Sequence, residues 1–341
     1  MKVRSAFCAA VVCLASVNSL ASERVGVFSI EMIELRPTWR SEESDGSHFS
    51  LTDSNISFRW KLDKKLSATV SLGSQRERNL PIYYSAANDE QLGYYEAYAE
   101  YDAMYGRLRF GLLPLNFGYD GVLASSDRFF DRALPYEARA FGLRDTGFSF
   151  YTENKGYYTE VIGHNGEIDT EPDGRLWVTG RWGYTNERSF RTQLSLQTGY
   201  VEGVLSENST NTLGGVVNDK TAQWRNGLLF AHWYPRDWNV VAQLGGGEVV
   251  QENHRGRFRS NLIEVTHYFS KNFGFGFRYD QFDPNRDVAG DAVARSSTAF
   301  IFKSKDSTSN VCFMYSKVAE EQRQVPNDEM RLFWLLTPYA R

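Results

Sequence analysis

The sequence predicts an antiparallel β-barrel that spans a membrane, an all-β fold class that three observations support. Apolar and polar residues alternate with period two in many short segments, short turns and longer polar stretches follow each other along the chain, and aromatic residues make up 15% of it. A sheet that faces lipid cannot leave an edge unpaired, so the strands must close into a barrel. A soluble β-sandwich or β-propeller would show similar alternation, but it would not require the regular succession of short turns and long loops.

The first residues have the layout of a secretory signal peptide. Lys2 and Arg4 precede an apolar run that ends in a small-residue cleavage site at 19–21. We therefore expect residues 1–21 to be removed and residues 22–341 to form a single barrel domain. No later segment approaches about 18 uninterrupted apolar residues, so no transmembrane helix is expected.

Charge and cysteine content argue against two further classes of protein. The chain has 38 Lys and Arg residues against 42 Asp and Glu residues, so it is mildly acidic and is not expected to bind nucleic acid. Cys8 and Cys13 lie in the predicted signal peptide, which leaves Cys312 alone and excludes a disulfide framework within the chain. We interpret Cys312 as an ordinary strand residue rather than a nucleophile or a metal ligand.

The strands are clearest where the alternation is strict. In residues 58–73, FRWKLDKKLSATVSLG, two alternating runs flank a charged turn, which predicts a hairpin with Phe58 facing lipid and Arg59 facing a water-filled lumen. The same alternation in 273–280, FGFGFRYD, places the aromatic residues toward lipid and the intervening residues toward the lumen. In 107–112, RLRFGL, the apolar residues are again predicted to face lipid.

Counting the breaks between these segments predicts sixteen strands. Seven short turns would lie on one side of the membrane, at 63–65, 102–106, 153–156, 185–189, 235–237, 270–272 and 304–309. Eight longer polar loops would lie on the other side, at 41–48, 75–92, 114–144, 164–174, 202–219, 246–258, 281–293 and 318–328. Segments 219–233 and 258–269 alternate less clearly, which leaves fourteen strands as the alternative count.

A series of motifs resembles, in type and in order, those of the phosphate-selective porin O and P family of Gram-negative outer membranes. The motifs are an alternating strand with tyrosines, an LRxG strand, a PxxFG loop start, an FxxR element, an RDxG strand start and an NG at the end of the next strand. From the LRxG strand onward, the matching residues are at 108–111, 114–118, 129–132, 144–147 and 165–166. The run FRYDQFDPNRD near the C-terminus also fits the family pattern.

The resemblance implies a sixteen-stranded, trimeric porin whose third loop folds into the lumen and narrows it. By counting, the third loop is residues 114–144. Its aromatic content supports the same placement independently, because several large apolar side chains would be costly to expose to solvent. We expect these side chains to pack against the inner wall of the barrel: Phe117, Phe129, Phe130, Tyr136 and Phe141.

Charged residues of the third loop are the candidates for a pore constriction. Arg128 and Arg132 are four residues apart in DRFFDR, which predicts a short helical turn whose arginines help to set ionic selectivity. The mixed signs in this loop fit a salt-bridged anchor as well as an anion path. The constriction candidates are Asp127, Arg128, Asp131, Arg132, Arg139 and Arg144. The lumen-wall candidates are Arg59, Lys61, Arg107, Arg109, Glu96 and Glu100, with Arg175, Arg181, Arg191, Glu160 and Glu264 at further inward positions.

These observations favour a passive diffusion channel for small hydrophilic solutes or ions, and the resemblance adds anions such as phosphate. The expected partners are the lipid bilayer of the outer membrane, the solute and, from the resemblance, further copies in a homotrimer. A structural or adhesive barrel with a closed lumen is the alternative. An enzyme is not expected, because the five histidines show no spacing typical of a Ser/His/Asp or metal site, and neither a metal nor another cofactor is expected.

Overall fold

The computed structural model of the protein describes residues 27–43, 46–51, 54–74, 92–123, 127–138, 140–166, 176–186, 188–201, 222–251, 254–304, 308–320 and 328–340. The predicted signal peptide, residues 1–21, lies outside these ranges and stays a prediction.

The described chain consists of 18 β segments and two short helices. The segments are β1 (Val27–Leu35), β2 (Thr38–Glu42), β3 (Gly46–Ser50), β4 (Asn55–Lys61), β5 (Leu66–Ser74), β6 (Leu92–Ala103), β7 (Gly106–Pro114), β8 (Arg144–Asn154), β9 (Tyr157–His164), β10 (Trp177–Thr185), β11 (Phe190–Val201), β12 (Ala222–Trp233), β13 (Trp238–Gln251), β14 (His254–Tyr268), β15 (Phe273–Asp283), β16 (Val293–Lys303), β17 (Ser309–Glu320) and β18 (Glu329–Ala340). The helices are α1 (Gly118–Val122) and α2 (Leu134–Glu137).

The β segments close into one barrel whose neighbouring strands are antiparallel. β1 pairs with β18 on one side and with β4 on the other, which joins the two ends of the sheet. β1 and β2 both lie along β18 and are interrupted at Arg36 and Pro37, where proline has no N–H to donate. β3 and β4 form a second interrupted strand. The 18 segments therefore make 16 barrel strands, which confirms the count of sixteen over fourteen.

Side chains alternate between the lipid face and the lumen as predicted. On β15, Phe277 faces outward and is 40% exposed, whereas its neighbour Arg278 faces inward and is 1% exposed. On β7, Phe110 faces outward and is 69% exposed. On β4, Trp60 is exposed on the outward face and Arg59 lies on the inward face. The period-two pattern therefore assigned the correct face to each of these strands.

The seven predicted short turns are confirmed, because each joins two consecutive strands of the barrel. Two of the predicted long loops are wrong. In the 41–48 segment, β2 ends at Glu42 and β3 begins at Gly46, whose φ is 76°, so most of the segment is strand. Residues 246–258 are almost entirely strand, since β13 ends at Gln251 and β14 begins at His254. Polar side chains on the outward face of these two strands hide the alternation in the sequence. The predicted loops at 75–92, 164–174, 202–219 and 318–328 lie mostly outside the described residues.

The third loop folds into the barrel, as predicted, and we call residues 114–144 loop L3. Both helices belong to L3. All five of its aromatic side chains expected to meet the wall are buried, with at most 8% exposed. Within the described ranges, no helix is long and apolar enough to cross a bilayer.

The register of β15 predicts how charges will be tolerated on the outer surface. Phe277→Arg should lower the free energy of unfolding by about 2–4 kcal/mol, because the charge would lie near the bilayer midplane. Phe269→Arg is the control: Phe269 follows the end of β14 and is 63% exposed, so the same charge near the interface should cost no more than about 1 kcal/mol. Urea unfolding in lipid vesicles, read by heat-modifiable gel migration, measures both variants. Equal losses would contradict the assigned register.

Candidate functional site

Loop L3 lies against one side of the barrel interior. α1 contacts β11 and β12, and α2 contacts β15. Gly118 begins α1 with a φ of 67°, at a point where a Cβ would lie 2.3 Å from the hydroxyl oxygen of Tyr136. Tyr119 packs edge-on against Phe230 of β12, with the ring centroids 5.9 Å apart, and Phe141 joins the same apolar cluster. The interior of the barrel therefore has an apolar core, built between the loop and the wall.

A buried ion pair fixes α1 to the wall. The Asp120 carboxylate accepts a hydrogen bond from Nη2 of Arg278 at 2.8 Å, and both side chains are almost completely buried. The same carboxylate accepts from the backbone N–H of Ala133 at 2.6 Å. Burial by itself would raise the pKa of the Asp120 carboxyl, but the Arg278 charge and these hydrogen bonds hold it below its usual value. The carboxylate is therefore ionised, and the pair ties L3 to β15.

The tip of L3, residues 127–132, is held by arginines of the wall. Three contacts are present: Arg331 with the Asp131 carboxylate, Arg295 with the Arg132 carbonyl, and Arg36 with the Arg128 carbonyl at 3.1 Å. The predicted helical turn over 127–132 is wrong, because residues 128–132 are irregular. Two carbonyl groups bind guanidinium groups instead of continuing a helix, so tertiary contacts replace local hydrogen bonds.

The two phenylalanines of the tip cover a second apolar cluster on the wall. Phe129 and Phe130 pack with inward-facing residues of β16 to β18, including Cys312. The Cys312 sulfur lies 3.7 Å from the carbonyl oxygen of Phe129 and is buried, as expected for a strand residue. A Cβ at Gly276 would lie 2.8 Å from the ring of Phe130. The glycine therefore makes room for the tip against β15.

The inward face of β4 to β11 carries a cluster of arginines that we call the arginine wall: Arg59 on β4, Arg107 and Arg109 on β7, Arg181 on β10 and Arg191 on β11. Asn116 of L3 reaches the edge of this cluster, where its side-chain amide donates to Glu160 at 3.4 Å. Two carboxylates, 5% and 1% exposed, lie between the arginines. Glu100 accepts from Nη2 of Arg59 at 2.9 Å and from Nε of Arg109 at 2.8 Å. Glu160 accepts from Nε of Arg181 at 2.6 Å. These pairings cross neighbouring strands and hold the guanidinium groups in fixed positions.

Positive charge is in excess on the arginine wall. Four of its five arginines pair with Glu100 or Glu160, and Arg107 also lies 3.4 Å from Asp102 near the end of β6. Arg191 has no ion pair with any residue in the described part of the chain, and its buried Nε has no hydrogen-bond partner there. An unpaired, lumen-side guanidinium keeps N–H donors of the kind that anionic groups accept from.

Tyrosine rings lie under the guanidinium groups of the wall. The ring of Tyr98 lies 5.5 Å from the Arg109 guanidinium carbon, and the ring of Tyr158 lies 5.2 Å from that of Arg181. Cation–π contact restrains the arginines laterally and leaves their N–H groups free to bind other acceptors. Sequence reasoning singled out the arginines but did not identify these tyrosines as their support.

The remaining predicted site residues fall in several places. Arg144 pairs with Glu96 at 3.1 Å near the base of L3, apart from the arginine wall. Lys61 is exposed at the end of β4, and Asp127 is exposed at the tip of L3. Arg128 is buried, at 4% exposed, and Arg132 is half-buried. Arg139 and Arg175 lie outside the described residues.

Sequence reasoning missed a buried polar chain beside L3. Nδ1 of His164 lies 2.6 Å from the Asp145 carboxylate, and Nε2 lies 2.9 Å from the hydroxyl of Thr179. Two amide side chains continue this chain to the carbonyl oxygen of Ala140 in L3. The order carboxylate, imidazole, hydroxyl matches a catalytic relay. His164 and Thr179 are both 1% exposed, so the chain positions the loop and presents no accessible nucleophile.

The described residues contain no group of three or more His, Cys, Asp or Glu side chains placed to hold a metal ion. The site is therefore defined by arginines, tyrosines and the packing of L3.

Breaking an anchor of the L3 tip should expose the cluster beneath it. In Arg331→Met the partly buried Asp131 carboxylate would lose a charged partner, so the tip should lift more often. We expect thiol reagents to label Cys312 at least about tenfold faster in this variant. Arg225→Met, which removes an exposed ion pair on the outer surface, is the control and should leave the labelling rate unchanged. Equal rates in all three proteins would show that the pair does not hold the tip.

Comparison with known proteins identifies the fold. No protein-family model matches the chain, and no curated protein matches its sequence. Among solved structures, OmpT of Vibrio cholerae in a trimer form has a TM-score of 0.66 at 11% identity, with 92% of this chain and 100% of that chain covered. The outer-membrane channel DcaP of Acinetobacter baumannii gives 0.66 at 11%, covering 93% and 99%. An anion-selective porin from Comamonas acidovorans gives 0.63 at 11%, covering 92% and 99%. The chain therefore has the fold of the outer-membrane porins.

Proposed function

We propose that this protein is a porin of the Gram-negative outer membrane, a passive diffusion channel for small hydrophilic solutes that prefers anions. The observation that carries the proposal is the arginine wall, an excess of positive charge on the inward face of a barrel of porin fold. Guanidinium groups bind carboxylate, phosphate and sulfate groups through paired hydrogen bonds. The likeness of one solved structure to this chain, the anion-selective porin of Comamonas acidovorans, is consistent with it.

Passage through such a pore would break no covalent bond. An anion moving between L3 and the arginine wall would exchange part of its hydration water for guanidinium N–H groups, whereas a cation would meet a repulsive potential. Glu100 and Glu160 moderate this potential, because each neutralises part of the wall's charge. With several arginines on neighbouring strands, an anion can pass from one to the next without being trapped at any of them.

Phosphate is one anion within this proposal, and the motifs shared with the phosphate-selective porin O and P family support it through their order alone. The competing proposal is a structural or adhesive barrel with a closed lumen, which the dense packing of L3 favours. Neither proposal includes an enzymatic activity, because the hydroxyl group of the Asp145–His164–Thr179 chain is buried. Conductance in planar bilayers separates the two: a protein that folds and inserts without conducting would favour the closed barrel.

Anion preference should depend on Arg191. Because Arg191 makes no ion pair with the described residues, its replacement would not deprive a buried carboxylate of its partner. Arg191→Gln should lower the ratio of anion to cation permeability by about two- to tenfold, because one unscreened charge leaves the lumen. Arg225→Gln, which changes the charge of the outer surface equally, should leave this ratio unchanged. Reversal potentials across a KCl gradient in planar bilayers measure all three proteins. An unchanged ratio in Arg191→Gln would place selection elsewhere.

The loop arginines provide a second test of where selection occurs. Arg128→Ala combined with Arg132→Ala should shift the reversal potential toward cations if L3 takes part in selection, as the sequence predicts. Because Arg128 is buried, we expect this double variant to shift the reversal potential less than Arg191→Gln does. A folded double variant with unchanged conductance and selectivity would show that these two residues lie outside the conducting path.

We further propose that the protein is exported by residues 1–21 and assembles as a homotrimer, as OmpT of Vibrio cholerae does in its trimer form. Light scattering in detergent, with the detergent mass subtracted, should give about three times the mass of the mature chain. N-terminal sequencing of the purified protein should begin near residue 22. A monomeric mass would contradict the trimer without affecting the proposed channel.

A further inference from the structure

A second group of arginines lies on the outside of the barrel, which we call the outer arginine patch: Arg225 on β12 and Arg255, Arg257 and Arg259 on β14. All four occupy outward register positions, because their neighbours Gly256, Phe258 and Ser260 are buried on the inward face. They are exposed, and they lie at the ends of the strands farthest from the short turns.

The height of the patch can be estimated from β14 itself. Outward residues of β14 change from apolar, at Ile263 and Val265, to polar at Asn261 and then to arginine. Phe269, 63% exposed, lies in the aromatic group at the short-turn end. Arg259 lies ten positions before it in the chain. At about 3.4 Å per residue and a tilt of about 40°, this separation is roughly 26 Å along the membrane normal. An apolar band is about 25 Å tall, so Arg259 reaches the level of the lipid headgroups and Arg257 lies beyond it.

Part of the patch has no ion-pair partner among the residues that the structure describes. Glu248 pairs with Arg225 at 3.1 Å and with Arg255 at 3.2 Å. Arg257 and Arg259 make no ion pair with any residue of the described ranges, although Asp283 is the register neighbour of Arg259. The patch therefore presents two exposed guanidinium groups that are one strand period apart and point the same way.

A second copy of the chain is poorly suited to cover this patch. Among the described residues of β6 to β18, the carboxylates at outward register positions are those of Glu248 and Asp283, which both belong to the patch itself. From the described outward positions of these strands, a neighbouring subunit could offer only these same regions, with their own arginines. Negative charge from a source other than these strands therefore suits the patch better.

We propose that the outer arginine patch binds the phosphate groups of a phosphorylated lipid in the leaflet on the long-loop side of the membrane. The planar guanidinium groups of Arg257 and Arg259 suit bidentate contacts with phosphate oxygens, and the ion pairs of Glu248 orient the two flanking arginines. The lipid chains would lie along the apolar outward residues of β14 below. The inference rests on the proposed membrane location of the barrel and is independent of whether the barrel conducts ions.

The test uses the folded full-length mature protein in dodecyl maltoside micelles, titrated with fluorescent bisphosphorylated lipid A and with its monophosphorylated form. Arg257→Gln combined with Arg259→Gln should weaken binding of the bisphosphorylated lipid by roughly 25-fold, at about fivefold for each arginine. The control is Arg188→Gln combined with Lys271→Gln, an equal change of charge in exposed turns at the opposite end of the barrel, and it should bind within about twofold of the wild type. Arg257→Lys combined with Arg259→Lys keeps the charge but loses the bidentate geometry, so it should bind more weakly than the wild type and more tightly than the Gln variant.

Three results would overturn the proposal. One is equal binding by the Gln variant and the wild type. Another is displacement of the lipid by inorganic phosphate at millimolar concentration, which would indicate a site for free anions. The third is a change in oligomeric mass of the lipid-free Gln variant, which would make the patch a subunit contact. Heat-modifiable migration verifies the fold of every variant. Conductance is measured on the same samples, so that a barrel that binds lipid but does not conduct would count against the proposed channel alone.

Discussion

Closure of the backbone hydrogen bonds is the constraint on which the rest of this structure depends. In lipid, an unpaired strand edge has no water to bind, so the chain must join its first strand to its last. β1 does this by pairing with β18, although Arg36 and Pro37 interrupt it. Once the barrel is closed, each strand has one face toward lipid and one toward the lumen. Every side chain is then assigned to one of two environments by its position along the strand.

The lumen is wide enough to need a second structural layer, and L3 supplies it. Its aromatic side chains build an apolar core against β11 to β18, which a barrel of this size otherwise lacks. Burying the loop also buries its polar backbone and its acids, so the wall must provide donors. Arg278 meets Asp120, and Arg331 meets Asp131, from inward positions of their strands. Arginine therefore has a structural role on this side of the lumen.

The arginines of this protein fall into three groups with different surroundings. Those under L3 are paired and buried, and they hold the loop. Those on the arginine wall share Glu100 and Glu160 with an excess of positive charge, which is the arrangement that can act on a passing anion. Those of the outer arginine patch are exposed on the outward face of β12 and β14, where we propose that they bind lipid phosphates. Arginine thus has three roles in this protein, which differ in how deeply the side chain is buried and in whether carboxylates neutralise its charge.

The sequence by itself determined the all-β class and the face of the clear strands, because alternation with period two is a local property, and it favoured sixteen strands while leaving fourteen open. It also located L3 and its aromatic residues. The prediction of a loop at 246–258 was wrong, because the outward arginines of this segment make it as polar as a loop. Polarity alone does not show how far from the membrane centre a residue lies. Only the tertiary structure decided which charges meet. The partners of Asp120 and Asp131 are more than 150 residues away along the chain, at separations where neither period nor spacing carries information. Closure of the barrel sets those distances, and it also separates the anchoring arginines from those that remain available to a solute.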